Sequence, residues 1–264
     1  MKFPIYGSEF ELYSSWSRYR ASIKENIIGQ PQIRSGIAYD YFNGKKLGLS
    51  WEIKRYKRRI DQNINPVGFS LNFSLAKEWN EFIDGIDLSD SGTLISKFKN
   101  HNLIRTKIDG QFLWEIPGSN RWTISSKAQL GRISKVDVDS FFYFFGGGMP
   151  GLKGYPYYSI EGTNLMLYDF GLRLPLFREK HIPVGWFTLQ HSTLGIISQF
   201  GDAWNRNKSK FSLKRSMGFE WRLSGYSFYN YPTSIGLEYH RGLDTFTMDI
   251  GCLLYTSPSP RDRG

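Results

Sequence analysis

The chain has 264 residues, of which 34 are Lys or Arg and 24 are Asp or Glu, giving a formal net charge of +10. This length accommodates one large β domain, and no run of about 18 apolar residues predicts a transmembrane helix. The single cysteine, Cys252, excludes a framework of disulfide bonds and a metal site built from several thiolates.

Alternation of apolar and polar side chains recurs along the chain and predicts β-strands. In chain order, about eleven strands are predicted, centred on residues 8–17, 33–42, 46–54, 68–77, 103–116, 121–132, 163–176, 184–200, 210–224, 233–241 and 245–251. Several of these segments are longer than the five or six residues usual in globular proteins. Their length is closer to the roughly 9–11 residues with which a tilted strand crosses a membrane.

The predicted connections differ in length. Asn43-Gly44 predicts a tight hairpin, and Pro117-Gly118 predicts a second short turn. Longer connections are predicted over 55–66, 78–102 and 133–162. Alternation alone fits a transmembrane barrel and a soluble β-sandwich, because a water-filled lumen and a solvated sheet face both accept polar residues.

We interpret two clusters of charged residues as solvated loops and not as binding sites. The basic run from Lys54 to Arg59 is typical of a loop end, with nucleic acid or lipopolysaccharide phosphates as alternatives. Asp84, Asp87 and Asp90 lack the complete spacing of a Ca²⁺-binding loop. Motifs of hydrolases, zinc proteases and phosphate-binding loops are absent from the sequence, so no enzyme activity, cofactor, metal or nucleic-acid partner is expected.

The C-terminal segment has an unusual composition. Residues 252–262 read CLLYTSPSPRD and back-translate to a sequence resembling a transposase sequencing-library adapter. The alternative is a natural Pro/Ser tail. We therefore predict a partial β-barrel over 1–251 and a non-native tail over 252–264 that packs against nothing.

Residues 141–177 carry the most specific pattern, an aromatic and Gly-rich loop followed by an alternating strand. The loop contains Leu152-Lys153-Gly154-Tyr155, and the strand ends on Arg173-Leu174-Pro175. This order resembles the C-terminal barrel of the bacterial outer-membrane assembly and translocation superfamily, which includes the surface-antigen barrels. The resemblance covers roughly residues 100–251.

The resemblance implies a loop that folds back into the barrel lumen. In the family an arginine at the loop tip meets an acidic residue on a lumen-facing strand, and here Lys153 occupies the arginine position. Two alignments of the partner strand are possible, one placing Gln199 and the other Asp202 at the acidic position. Arg173 and Pro175 match the family's strand-end motif, and a strand stopped by proline explains them equally well.

The fold implied by the resemblance is an all-β, antiparallel transmembrane β-barrel, present here as about 11 strands of a sixteen-stranded barrel. The implied role is assembly of outer-membrane proteins or translocation of polypeptides in the bacterial outer membrane. Expected partners are outer-membrane lipid, unfolded client polypeptides and periplasmic accessory proteins. No signal peptide begins at Met1, which this reading attributes to the chain being a fragment. Alternatives are a passive outer-membrane channel or receptor and a soluble β-sandwich binding module.

Overall fold

The computed structural model describes residues 2–5, 7–23, 37–88, 94–206, 210–228, 231–244 and 248–256, and over these ranges the chain is all-β. The strands are β1 (Lys2–Ile5), β2 (Ser8–Ile23), β3 (Ile37–Tyr56), β4 (Gly68–Leu88), β5 (Leu94–Glu115), β6 (Thr123–Ile133), β7 (Phe144–Phe145), β8 (Glu161–Gly162), β9 (Asn164–Phe177), β10 (Ile182–Val184), β11 (Phe187–Trp204), β12 (Lys214–Ser227), β13 (Tyr231–Gly242) and β14 (Met248–Thr256). The helical segments within these ranges are two 3-10 turns, Ser140–Phe142 and Tyr157–Ser159, and neither can cross a membrane.

An antiparallel sheet of twelve strands organises the molecule, and β7 and β8 form a separate two-stranded sheet. The order of the twelve-stranded sheet is β1-β2-β3-β4-β5-β6-β9-β11-β12-β13-β14, with β10 paired to β11. The segments 163–176, 184–200 and 210–224, predicted as strands, lie side by side, because β11 pairs with β9 on one side and β12 on the other. Among the described residues β1 and β14 do not pair with each other, so the sheet is not closed into a barrel.

The two faces of the sheet differ in polarity, as the alternation predicts. On β12, Phe219 and Trp221 are 56% and 40% exposed, whereas Glu220 between them is 1% exposed. On β9, Phe170 is exposed and Arg173 is buried. One face therefore presents apolar side chains outward, and the other holds polar side chains in the interior.

The interior face is concave and covered by the long connection between β6 and β9, residues 134–163. Phe142 of this connection packs near Phe42 of β3, while Tyr155 contacts Asp244 beyond β13. One connection touches strands near both ends of the sheet, which requires the sheet to curve around it. The main core forms between apolar side chains of this connection and of the strands beneath it. The connection contributes Phe144, Leu152 and Ile160, and the strands contribute Leu103, Ile133, Leu165 and Leu167.

The hairpin predicted at Asn43-Gly44 is wrong. Both residues lie inside β3, where Asn43 pairs with Arg18 and Glu81, and Gly44 pairs with Ser17 and Asn80. The ladder overrides the local turn preference because both neighbouring strands continue past this point. Consequently the described part of the predicted strand 33–42 and the predicted strand 46–54 belong to one strand, which begins at Ile37.

The long connection predicted over 78–102 is also mostly wrong. β4 continues to Leu88 and β5 begins at Leu94, so much of the predicted loop is paired strand. Asp84 and Asp87 accordingly belong to β4, and Asp90 lies outside the described residues. The turn predicted at Pro117-Gly118 is confirmed between β5 and β6.

The expectation that residues 252–264 pack against nothing is wrong for the first five of them. Cys252 pairs with Leu237 of β13, and the pairing continues to Thr256 opposite Thr233. Apolar and β-branched residues favour continuation of a strand along an open edge. Residues 257–264 lie outside the described ranges, and a non-native origin for the tail stays a prediction.

Candidate functional site

The segment 146–160 doubles back on itself over the interior face. Gly146 donates its backbone N–H to the Ile160 carbonyl at 2.8 Å, and Leu152 donates to the Gly146 carbonyl at 2.7 Å. Gly148 donates to the Tyr155 carbonyl at 2.8 Å. These bonds satisfy buried backbone groups within the segment, so a loop without regular structure is held in one conformation.

Two glycines are required by the close approach of other backbone atoms. A Cβ at Gly147 would lie 2.2 Å from the Pro156 carbonyl oxygen. Gly154 has φ +86° and a Cβ there would lie 2.4 Å from the Gly242 nitrogen. The first glycine allows the loop to double back, and the second allows it to touch β13.

Leu152 and Tyr155 anchor the loop on opposite sides of Lys153. Leu152 is fully buried in the main core. The Tyr155 hydroxyl lies 2.9 Å from the Arg215 carbonyl oxygen and 3.0 Å from Asp244 Oδ2, and it can donate to either. Burial raises the pKa of the Tyr155 hydroxyl, while the backbone N–H of Arg215 lowers the pKa of Asp244.

Gln199 meets the loop, as one of the two predicted alignments requires. Its Oε1 accepts from the Lys153 backbone N–H at 3.0 Å, and its Nε2 donates to Asp169 Oδ1 at 3.0 Å. A longer contact of 3.4 Å joins Nε2 to the Gly151 carbonyl. Gln199 therefore binds the loop backbone, and its amide uses both of its functions to do so.

The Lys153 ammonium has a different partner from the one predicted. It forms an ion pair with Glu238 on β13, whose side chain is 4% exposed. The expectation that this ammonium meets Gln199 or Asp202 is therefore wrong. Gln199 and Glu238 divide between them the contact that the resemblance assigns to one acidic residue.

Asp202 is not a partner of the loop. It lies within β11 opposite Met166, accepts from Lys214 Nζ at 2.6 Å and accepts from the Ser212 backbone N–H at 2.7 Å. The alternation of side chains along the strand explains this, because residues 199 and 202 are an odd number apart and so point to opposite faces. Asp202 thus stabilises the connection that leads into β12.

Arg173 has a structural role that the strand-end motif alone does not reveal. Its guanidinium pairs with Glu220 in the interior, and Glu220 also accepts from Arg222 Nε at 2.8 Å. Arg222 in turn lies 3.6 Å from Glu238, the partner of Lys153. A continuous chain of alternating charges therefore joins β9, β12 and β13 to the loop, as buried charges require.

Pro175 does not end its strand, since β9 continues to Phe177. It pairs with Thr193, and the register shifts at the next residue, where Phe177 meets Ser192. A proline beside such an irregularity avoids breaking a regular ladder, because proline has no N–H to donate. The alternative that Pro175 stops the strand is wrong.

Glu220 and Glu238 were recognisable in the sequence only as inward-facing charges in the middle of alternating strands. Nothing local distinguishes them as members of one network, because they belong to different strands. The register decides it, since Glu220 lies directly opposite Glu238 between β12 and β13. Two carboxylates so placed need cations around them, which Arg173, Arg222 and Lys153 supply.

A second connection enters the interior from the opposite ends of the strands. Residues 57–67, between β3 and β4, bury Asp61, Ile64 and Asn65. Asn65 binds Thr123 of β6 by their side chains, and its Nδ2 donates to the Arg121 carbonyl at 3.1 Å. This inward segment includes the end of the predicted basic run, where Arg59 pairs with Glu115.

The two inward connections approach the same charged network. Asn63 and Ile64 line a cavity of about 50 Å³ together with Arg222 and Glu238. The interior is therefore occupied from both ends. Across the described ranges no group of three or more His, Cys, Asp or Glu side chains is arranged to hold a metal ion.

No protein-family model matches the chain, and no curated protein matches it significantly.

Proposed function

We propose that the chain is a β-barrel of the outer-membrane surface-antigen type, acting in assembly of outer-membrane proteins or translocation of polypeptides. The observation that carries this proposal is the inward loop 146–160, held across a polar interior by Lys153 and Glu238. A loop so placed resembles the lumen loop expected from Leu152-Lys153-Gly154-Tyr155. Its location behind an apolar outer face favours a lipid-facing wall.

The position of the apolar outer band also favours a tilted barrel wall. On β4 the apolar outward residues run from Phe69 to Leu75 and are centred on Asn72. The residues paired in turn with Asn72 across β5, β6, β9 and β11 lead to Lys214 on β12. On β12 the band runs from Met217 to Leu223 and is centred on Glu220, six residues further along. This drift is about 20 Å at the rise of a β-strand. A barrel with tilted strands requires such a stagger between neighbours.

The open edges of the sheet supply the physical basis for the proposed role. An unpaired edge offers backbone N–H and C=O groups to which an unfolded client strand can pair. Within the described residues, β1 and β14 each leave one such edge unpaired. Outer-membrane lipid and periplasmic accessory proteins are the other proposed partners.

Residue labelling in vesicles tests the membrane orientation. In a Cys252→Ser background, Met217→Cys should react with a lipid-soluble maleimide, and the adjacent Ser216→Cys should not. Met217 is 51% exposed on the outer face, and Ser216 is fully buried on the inner face. Reaction at Ser216→Cys with none at Met217→Cys would invert the proposed orientation. A chain that stays outside the vesicles would favour a soluble module.

Assembly activity requires a separate experiment. Vesicles containing the chain should speed the insertion of an unfolded outer-membrane barrel compared with protein-free vesicles. Equal insertion rates in the two preparations would overturn the assembly role while leaving the membrane location intact. A passive channel is the second candidate, but both inward connections obstruct the interior, so low solute flux is expected.

A further inference from the structure

A row of aromatic and cationic side chains lies at the upper limit of the outer apolar band, where "upper" means nearer the 134–163 connection. Trp16, Lys45 and Trp79 are paired with one another across β2, β3 and β4. All three are exposed, and they lie on the half of the strands nearer the 134–163 connection. On β3 the outward residues below this row are the apolar Leu47 and Leu49, and Asn43 lies above it.

Lys45 in this row and Lys77 just below it form no ion pair with any described carboxylate. Lys77 lies one step below Trp79 on the same face of β4, and its ammonium is 6.0 Å from the centre of the Trp79 ring. Among the described residues no carboxylate lies within ion-pair distance of Lys45 or Lys77. The lysines therefore present uncompensated positive charge at the border between apolar and polar surface.

A groove of about 550 Å³ lies directly above the row. Its lining includes Lys45 and Trp79 together with Asn43, Glu81 and Asn102. Glu81 is engaged by Asn43 Nδ2 at 3.1 Å, and Asn43 Oδ1 accepts from Trp16 Nε1 at 2.7 Å. Asparagine amides and the Trp79 ring therefore line the groove beside Lys45, on the side away from the apolar band.

We propose that Lys45 and Lys77 bind the phosphate of an anionic membrane lipid, whose acyl chains lie along Leu47, Leu49 and Leu75. The inference rests on the proposed function, because this face must meet lipid. Tryptophan is favoured at the border of a bilayer, where its ring is apolar and its N–H is polar. Lysines at the same depth attract anionic headgroups, and the asparagines above supply donors to the phosphate oxygens.

Native mass spectrometry of the detergent-solubilised chain tests this site with two lipids, phosphatidylglycerol and phosphatidylcholine. The unmodified chain should bind the first phosphatidylglycerol molecule more tightly than the first phosphatidylcholine. Each of the two changes in Lys45→Gln/Lys77→Gln should weaken phosphatidylglycerol binding by about fivefold, because each lysine contributes an attraction of that size near a lipid surface. The two effects should multiply in the double variant.

The matched control is Lys54→Gln/Lys107→Gln, which removes the same charge from the inner face. Lys107 and Lys54 pair there with Asp109 and Glu52. Equal weakening by both double changes would reduce the effect to net charge and overturn the site. A chain that inserts into phosphatidylcholine vesicles but shows no preference for phosphatidylglycerol overturns the site alone, whereas failure to insert into any vesicle overturns the proposed function with it.

Discussion

At the scale of single residues, the inward loop depends on a few contacts with different chemistry. Leu152 contributes apolar burial, Gln199 satisfies backbone groups, and Lys153 supplies a charge for Glu238. Lysine lacks the planar fork of arginine, so it makes one directed contact where arginine could make two. This is consistent with a division of the partner role between an amide and a carboxylate.

Lys153→Ala should lower the free energy of unfolding by about 3 kcal/mol, because it leaves the buried Glu238 carboxylate without its nearest cation. Adding Glu238→Gln should restore part of this loss, since a neutral amide needs no counter-charge. Urea unfolding in detergent micelles measures both variants. A Lys153→Ala penalty that is the same with and without Glu238→Gln would show that the ion pair contributes nothing.

The Asp244 contact should make the loop sensitive to acid. The Arg215 backbone N–H and the Tyr155 hydroxyl hold the pKa of Asp244 below its ordinary value of 3.8. The stabilisation is therefore complete above that ordinary value and is lost as pH falls through the lower folded value. Proteolysis of the loop by an acid-active protease should quicken over this window in the unmodified chain and be independent of it in Asp244→Asn.

At the scale of elements, the loop and strands are matched by close backbone approaches. The 134–163 connection folds back only because glycines stand where its own chain and β13 come near. The strands show the complementary effect, since Gly44 leaves space for the Phe42 ring and Asn80 inside a continuous ladder. The same residue type therefore marks a loop in one place and a strand in another.

Gly147→Ala should destabilise the folded loop by more than 1 kcal/mol, because the new methyl group would overlap the Pro156 carbonyl oxygen. Gly85→Ala is the matched control, since a Cβ there meets nothing within 4 Å. Limited proteolysis and urea unfolding should separate the two variants. Similar behaviour of both would indicate that the loop relaxes around the added methyl group at little cost.

At the scale of the whole molecule, the interior is bridged from both ends. The 57–67 connection reaches from β3 and β4 to β6 and to the cavity beside β13. The 134–163 connection reaches from β3 to the end of β13. Strands distant in the sheet are thereby held together even though β1 and β14 do not pair across the described chain.

Asn65→Ala should reduce global stability by about 1–3 kcal/mol, because it leaves the buried Thr123 hydroxyl and the Arg121 carbonyl without their partner. Asn63→Ala, an exposed neighbour in the same connection, should change stability by less than about 0.5 kcal/mol. Equal effects at the two positions would exclude a specific bridge to β6. Denaturant unfolding in micelles provides the measurement.

The sequence by itself determined the class of structure and the inner and outer faces of most strands. Period-two alternation has a local cause, because successive side chains of a strand point to opposite faces. It therefore places Phe219 and Glu220 on opposite faces without any knowledge of neighbouring strands. The turn at Pro117-Gly118 was predictable for the same reason, since proline and glycine restrict the backbone locally.

Only the tertiary structure decided which residues meet across the interior. Glu238 became the partner of Lys153 through the register of β12 on β13, and no local pattern records that register. The Asn43-Gly44 prediction failed because interstrand pairing outweighed a local turn preference. Pairings between residues far apart in sequence depend on the free energy of the whole sheet, whereas alternation and turn preference depend on a few neighbouring residues.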